Sequence, residues 1–159
     1  MEMDDARSAL EGFRKEFPGS PPVLWGFSLG GLISVLIAGE EGAKLAGIIV
    51  SGSGDELRPE AERGLLLPVL DSLCDKSELH SAASVADVDF ALFFYGSGDE
   101  SFTEASSRRI FDRLPLEDCR KEFHIVEGAD HAFRKKNGVA SRAPLEEMLA
   151  KARAVLGRY

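Results

Sequence analysis

Gly26-Phe27-Ser28-Leu29-Gly30-Gly31 lies between two apolar runs, Pro22-Val23-Leu24-Trp25 before it and Leu32-Ile33-Ser34-Val35-Leu36-Ile37-Ala38 after it. This arrangement predicts a strand that turns sharply into a helix. Glycines two residues either side of Ser28 let the two elements pass closely without a Cβ clash. The turn forces Ser28 into a strained backbone that holds its hydroxyl clear of both elements. The new helix also directs free N–H groups and the positive end of its dipole toward Ser28. Ser28 is the first candidate for a reactive side chain.

Working outward, the 159 residues fit a single domain, residues 1–159, long enough to bury a substantial core. The hydrophobic fraction of 44% and charged fraction of 29% are ordinary for a globular chain. A net charge of -8, with Lys and Arg scattered, argues against a nucleic-acid partner. Cys74 and Cys119 are too few for a disulfide framework, lack metal-ligand spacing and read as reduced, half-buried residues. Three histidines, His80, His124 and His131, show no metal-binding pattern, so no metal is expected. No apolar run reaches the ~18 residues of a membrane span, and the acidic N-terminus does not resemble a secretory signal. The expected location is cytoplasmic.

Helical periods alternate with short apolar runs. Helices are expected over 4–17, 29–39, 59–74, 102–114 and 144–156, and strands over 22–26, 46–50, 90–95 and 123–126. In the last helix Leu145, Met148, Leu149, Ala152 and Leu156 are expected to face inward. The stretch from Asp75 to Asp87 shows no clear period, and His80 within it is expected to face solvent. Strands that are apolar throughout, each followed by a helix, imply a parallel sheet of about four strands covered on both faces, a three-layer α/β/α fold. Gly-Ser-Gly-Asp-Glu occurs twice, at 52–56 and 96–100, each time just after a strand. Both copies therefore bring a carboxylate, Asp55 or Asp99, to the carboxyl rim that also carries Ser28 and the loop of His131.

Together these motifs resemble the C-terminal part of an α/β-hydrolase of the compact, dienelactone-hydrolase-like and thioesterase-like branch. Ser28 matches the elbow serine. Asp99, in Tyr95-Gly96-Ser97-Gly98-Asp99-Glu100, matches the acid, and His131, in Gly128-Ala129-Asp130-His131-Ala132-Phe133, matches the loop histidine. The order Ser…Asp…His is the one this fold uses. The resemblance implies a serine hydrolase that cleaves carboxylic esters or thioesters through an acyl-enzyme, without a cofactor. Within it, His131 would accept the Ser28 proton and a carboxylate would orient the ring. Asp99 is the first choice for that carboxylate and Asp55 the alternative. The Leu29 N–H would bind the oxyanion, Phe27 and Phe133 would wall the substrate cleft or equally belong to the core, and Asp130 would cap the loop.

Complete α/β-hydrolases carry further strands ahead of the helix that precedes the elbow, and one of them leads to a second oxyanion donor. Against that pattern, the chain reads as a truncated fold with Val23-Leu24-Trp25 at a sheet edge. An apolar edge calls for cover: a second copy across a two-fold axis, another polypeptide, or the N-terminal helix. The alternative to an esterase is a catalytically weak remnant that binds a partner through that edge.

Overall fold

A computed structural model describes residues 2–64 and 75–159. Four strands, β1 (Val23–Phe27), β2 (Leu45–Ser51), β3 (Val88–Gly96) and β4 (Lys121–Val126), pair in parallel in the order β1-β2-β3-β4. Their register sets Phe27, Ser51, Phe94 and His124 side by side, so all four chains leave the sheet along one rim. The strand side chains alternate between two cores. Ile48, Val50, Ala91 and Phe93 pack with residues of α1 (Glu2–Glu16), α2 (Leu29–Ala38), α4 (Lys76–Val85) and α5 (Glu104–Phe111). Ile49, Phe90, Leu92 and Phe94 pack on the opposite face with α6 (Ala143–Leu156). Burial on both faces explains why the strand runs lack polar alternation, and each fully buried Phe, Leu or Ile contributes roughly 1.5–3 kcal/mol. The three-layer α/β/α arrangement with four parallel strands matches the expectation.

Several local expectations are corrected. The stretch after Asp75 is helical: Asp75 accepts a hydrogen bond from the Glu78 N–H at 2.8 Å, and Glu78 reciprocates at the Asp75 N–H, a capping box. A two-stranded hairpin, β5 (Lys135–Lys136) and β6 (Val139–Ala140), follows the His131 loop. Its turn is Asn137-Gly138 with φ of +53° and +79°, the backbone that tight hairpins demand. In α6 the inward face is Pro144, Met148, Ala152 and Val155, whereas Leu145, Leu149 and Leu156 are exposed. The helix carries more apolar positions than its core face accepts, so the leucines on its outer side remain in solvent. Cys119 is exposed rather than half-buried. Of the helix expected over 59–74, α3 (Pro59–Gly64) is observed, and the remainder, with Cys74, lies outside the described residues.

β1 forms one edge of the sheet, with Trp25 and Phe27 both largely exposed. The Trp25 indole lies over Phe94 and donates its N–H to Ser51 Oγ at 2.9 Å. The N-terminal helix does not close this edge. It leaves a cleft of about 440 Å³ between α1, at Ala6, Leu10 and Phe13, and β1, at Val23, Trp25 and Phe27. Among the described residues no helix is long and apolar enough to cross a membrane.

Candidate active site

Ser28 sits between β1 and α2 with φ +53° and ψ -120°, a conformation costly for a residue with a Cβ. Hydrogen bonds hold it there: its N–H donates to the Ser51 carbonyl at 2.9 Å, and its carbonyl accepts from the Gly31 N–H at 3.0 Å. Ser28 is the N-cap of α2, yet its hydroxyl makes no capping bond. That leaves the hydroxyl free for the imidazole Nε2 of His131, 3.2 Å away. The flanking glycines differ in purpose. A Cβ on Gly26 would overlap the Gly30 carbonyl, so strand and helix cross there at backbone contact. A Cβ on Gly30 would meet nothing, contrary to the symmetric expectation; the second position that excludes a side chain is Gly31.

His131 lies on the loop after β4, 103 residues from Ser28. Its Nδ1 is 3.0 Å from Asp99 Oδ2, and the Asp99 side chain is fully buried. The other oxygen, Oδ1, accepts from the N–H groups of Ser101 at 2.7 Å and Phe102 at 2.9 Å, which fixes the carboxylate plane. With Nδ1–H donating to Asp99, Nε2 carries the lone pair that faces the Ser28 hydroxyl. Burial alone would push the imidazole toward its neutral form. The hydrogen bond and charge of Asp99, joined by Glu100 and Asp130, outweigh it and hold the His131 pKa above the ordinary histidine value.

The acid and histidine loops are laced together. Gly98 N–H donates to the Ala129 carbonyl at 2.9 Å, Gly128 N–H to Ser97 Oγ at 2.7 Å, and His131 N–H to Glu100 at 3.2 Å. Asp130 turns away from the ring and accepts from the Arg134 N–H at 2.9 Å. Hydroxyl, imidazole and carboxylate thus stand in series on the rim, held by backbone contacts that tolerate little drift.

Asp55, the alternative acid, is not near His131. Its buried carboxylate accepts a forked pair of bonds from Arg109, the shorter at 2.6 Å, and lies 2.7 Å from His80 Nε2. Burial would raise its pKa, but the bonds from Arg109 and His80 and the charges of Arg109 and Lys76 lower it below the usual aspartate value. His80 is accordingly half-buried against Asp55 rather than facing solvent. Sequence reading overlooked Arg109, whose only signal was its place on an amphipathic helix. His124, inside β4, pairs with Glu147 at 2.8 Å. Phe27 presents about half its surface to solvent with its ring 5.1 Å from that of His131, so it can flank a substrate. Phe133 does not: it is 1% exposed and packs in the core, the second of the two places open to it, and not on the cleft wall.

A parallel sheet carrying this rim has the fold of the α/β-hydrolases, and solved structures show the same likeness. The chain is similar to the esterase domain of a Rhodothermus marinus protein, with 21% identity, TM-score 0.65, 94% of this chain and 68% of that one covered. It also resembles a metagenome-derived lipolytic enzyme, with 14% identity, TM-score 0.77, and 99% and 72% covered. A soluble variant of monoglyceride lipase from Saccharomyces cerevisiae matches with 14% identity, TM-score 0.70, and 98% and 67% covered. At these identities the likeness is one of fold, and the chain spans about two thirds to three quarters of their lengths. Residues 2–91 match the model of the serine aminopeptidase S33 family (Hydrolase_4), and the chain belongs to that family. No curated protein matches the sequence.

Proposed function

We propose that this protein is a serine hydrolase of carboxylic esters or thioesters, with Ser28, His131 and Asp99 as its catalytic triad in a single domain. The observation that carries the reading is the unbroken series Ser28 Oγ, His131 Nε2, His131 Nδ1 and Asp99 Oδ2, with links of 3.2 and 3.0 Å. Ser28 Oγ would attack the carbonyl carbon as its proton passes to Nε2 and the carbonyl π pair moves onto oxygen. The Leu29 N–H, at the first position of α2 where a helix offers no acceptor, would stabilise that oxyanion. Collapse expels the alkoxide or thiolate, which takes the proton from Nε2 and leaves an acyl-serine. Water, deprotonated by the same nitrogen, attacks the acyl carbon, and Ser28 Oγ departs with that proton. Esters and thioesters fit better than amides because their leaving groups depart with less help from the acid. The family's aminopeptidase name makes a peptide substrate the natural comparison.

A fluorophosphonate probe is expected to label Ser28, and Ser28→Ala to abolish both labelling and p-nitrophenyl acetate hydrolysis. Faster Ser28-dependent cleavage of aminoacyl p-nitroanilides would overturn the ester assignment. No labelling at any pH from 6 to 9 would leave the second reading, a binding module that uses the exposed Trp25 and Phe27 edge.

A further inference from the structure

The first Gly-Ser-Gly-Asp-Glu copy holds a residue that the site as described leaves unused. Ser53 is 0% exposed, and its hydroxyl donates to the Ser28 carbonyl at 2.7 Å, with the Ser51 carbonyl a longer second acceptor at 3.2 Å. The Ser28 carbonyl and the Leu29 N–H belong to one peptide unit. A trans peptide is planar with C=O and N–H pointing in opposite directions. Whatever holds the carbonyl therefore aims the N–H. Two donors hold that oxygen, Ser53 Oγ and the Gly31 N–H, so the Leu29 N–H is fixed pointing away from both.

The surrounding sequence is shaped to admit this contact. A Cβ on Gly31 would overlap Ser53 Oγ, so glycine at 31 is the condition for the hydroxyl to reach the elbow. Gly30, the glycine of the motif itself, has no comparable neighbour. The residue that must remain small is the one facing Ser53. Ser28 also occupies a left-handed conformation that its own Cβ disfavours, and an extra bond to its carbonyl helps to retain it.

We infer that Ser53 is a positioning residue that aims the oxyanion donor by anchoring the Ser28–Leu29 peptide plane. The inference rests on the esterase reading for its catalytic consequence, but its geometric part stands on the contact alone. Losing an oxyanion donor outright costs on the order of 10²–10³-fold in kcat. In Ser53→Ala the N–H remains and only its aim relaxes, so a smaller loss of about tenfold is expected.

The test uses the 159-residue chain. Steady-state kinetics with p-nitrophenyl acetate are measured for the parent, Ser53→Ala and Gly31→Ala, with Ser28→Ala as background. The Leu29 amide resonance and its hydrogen exchange are followed by NMR in the first three. The expected result is a fall in kcat of about tenfold in both variants with KM changed less than about twofold, and a shifted, faster-exchanging Leu29 amide. Gly31→Ala reaches the same contact from the other side, so agreement between the variants excludes a peculiarity of either. The inference is overturned if the Leu29 amide is unmoved in Ser53→Ala. It is equally overturned if kcat is retained, or if the loss appears in KM alone or tracks only the folded fraction. A parent that shows no Ser28-dependent turnover sinks the esterase reading, while the Leu29 amide still decides whether Ser53 sets the peptide plane.

Discussion

The two Gly-Ser-Gly-Asp-Glu segments occupy equivalent places at the ends of β2 and β3, yet they serve different ends. In each, the aspartate is buried and lies within hydrogen-bond distance of a histidine: Asp55 with His80, Asp99 with His131. In each, the serine binds the backbone of a neighbouring rim element: Ser53 the Ser28 carbonyl, Ser97 the Gly128 N–H. What separates them is the rest of the shell. Asp55 meets Arg109 in a fork, with Lys76 at 3.7 Å, so its charge is neutralised by cations. Among the described residues Asp99 receives two backbone N–H groups besides the imidazole, so its charge faces the ring. Identical pentapeptides thus give a cation clasp in one place and a lone histidine contact, the proposed triad acid, in the other, and the cations delivered by α4 and α5 make the difference.

The sharpest way to break this comparison is to neutralise each aspartate. In Asp99→Asn the amide would offer an N–H to His131 Nδ1, forcing the proton onto Nε2 and removing the base from Ser28. A fall in kcat of about 10³–10⁴-fold is expected with the melting temperature little changed, read by ester turnover and calorimetry. Asp55→Asn should do the reverse. It leaves Arg109 and His80 facing a neutral group, at a cost of about 1–3 kcal/mol, the lower part of the range because Arg109 is more than a third exposed. Urea unfolding reads that loss, while turnover should fall less than about tenfold. If Asp55→Asn abolished turnover with stability intact, the division of labour would be refuted.

Much of this arrangement was legible in the residues because its signals are local. A strand buried on both faces is apolar throughout, and a strand-to-helix turn around a serine needs Gly26 beneath it. Asp99 was the first choice for the acid on its likeness to the family motif, but what engages Asp55 was not legible, because it depends on Arg109, 54 residues away and brought there by the fold. The inward face of α6 was obscured for a related reason: apolarity shows which residues can be buried, and only the opposing sheet decides which are. By contrast, the Asp75/Glu78 capping box and the Asn137-Gly138 turn are local signals that were present and overlooked.

The two regions should also titrate in opposite senses. The folded-state pKa of Asp55 is lowered, so its stabilisation is present above the ordinary aspartate value of 3.8 and is lost as pH falls through the folded pKa. That of His131 is raised above 6.5, so the stability gained by its protonation is complete below that value and lost as pH rises through the folded pKa. The proposed mechanism needs the neutral ring, so kcat/KM should climb with pH through a midpoint above 6.5. Denaturant midpoints measured across pH for the parent and Asp55→Asn should converge in acid, and a limb centred below the ordinary histidine value would contradict the assigned environment.

The smallest expected effect comes from the last residue of each pentapeptide. Glu56 is spent on Arg109 and Lys76, both at 3.0 Å, and makes no contact with the histidine loop. Glu100 accepts the His131 N–H, and its charge is one of those that raise the ring's pKa. Glu100→Gln keeps an acceptor for that N–H while deleting the charge. The lower limb of kcat/KM should therefore move to more acidic pH while the plateau rate stays within about twofold, because screening by water limits what one exposed carboxylate contributes. Glu56→Gln should leave the limb in place and lower stability by no more than about 1 kcal/mol. Raising the salt concentration ought to shrink the Glu100 shift, whereas the effect of Asp99, whose side chain is fully buried, should persist. If both glutamate variants moved the limb equally, the field at His131 would be a property of the whole acidic rim, and the two segments would be electrostatically interchangeable after all.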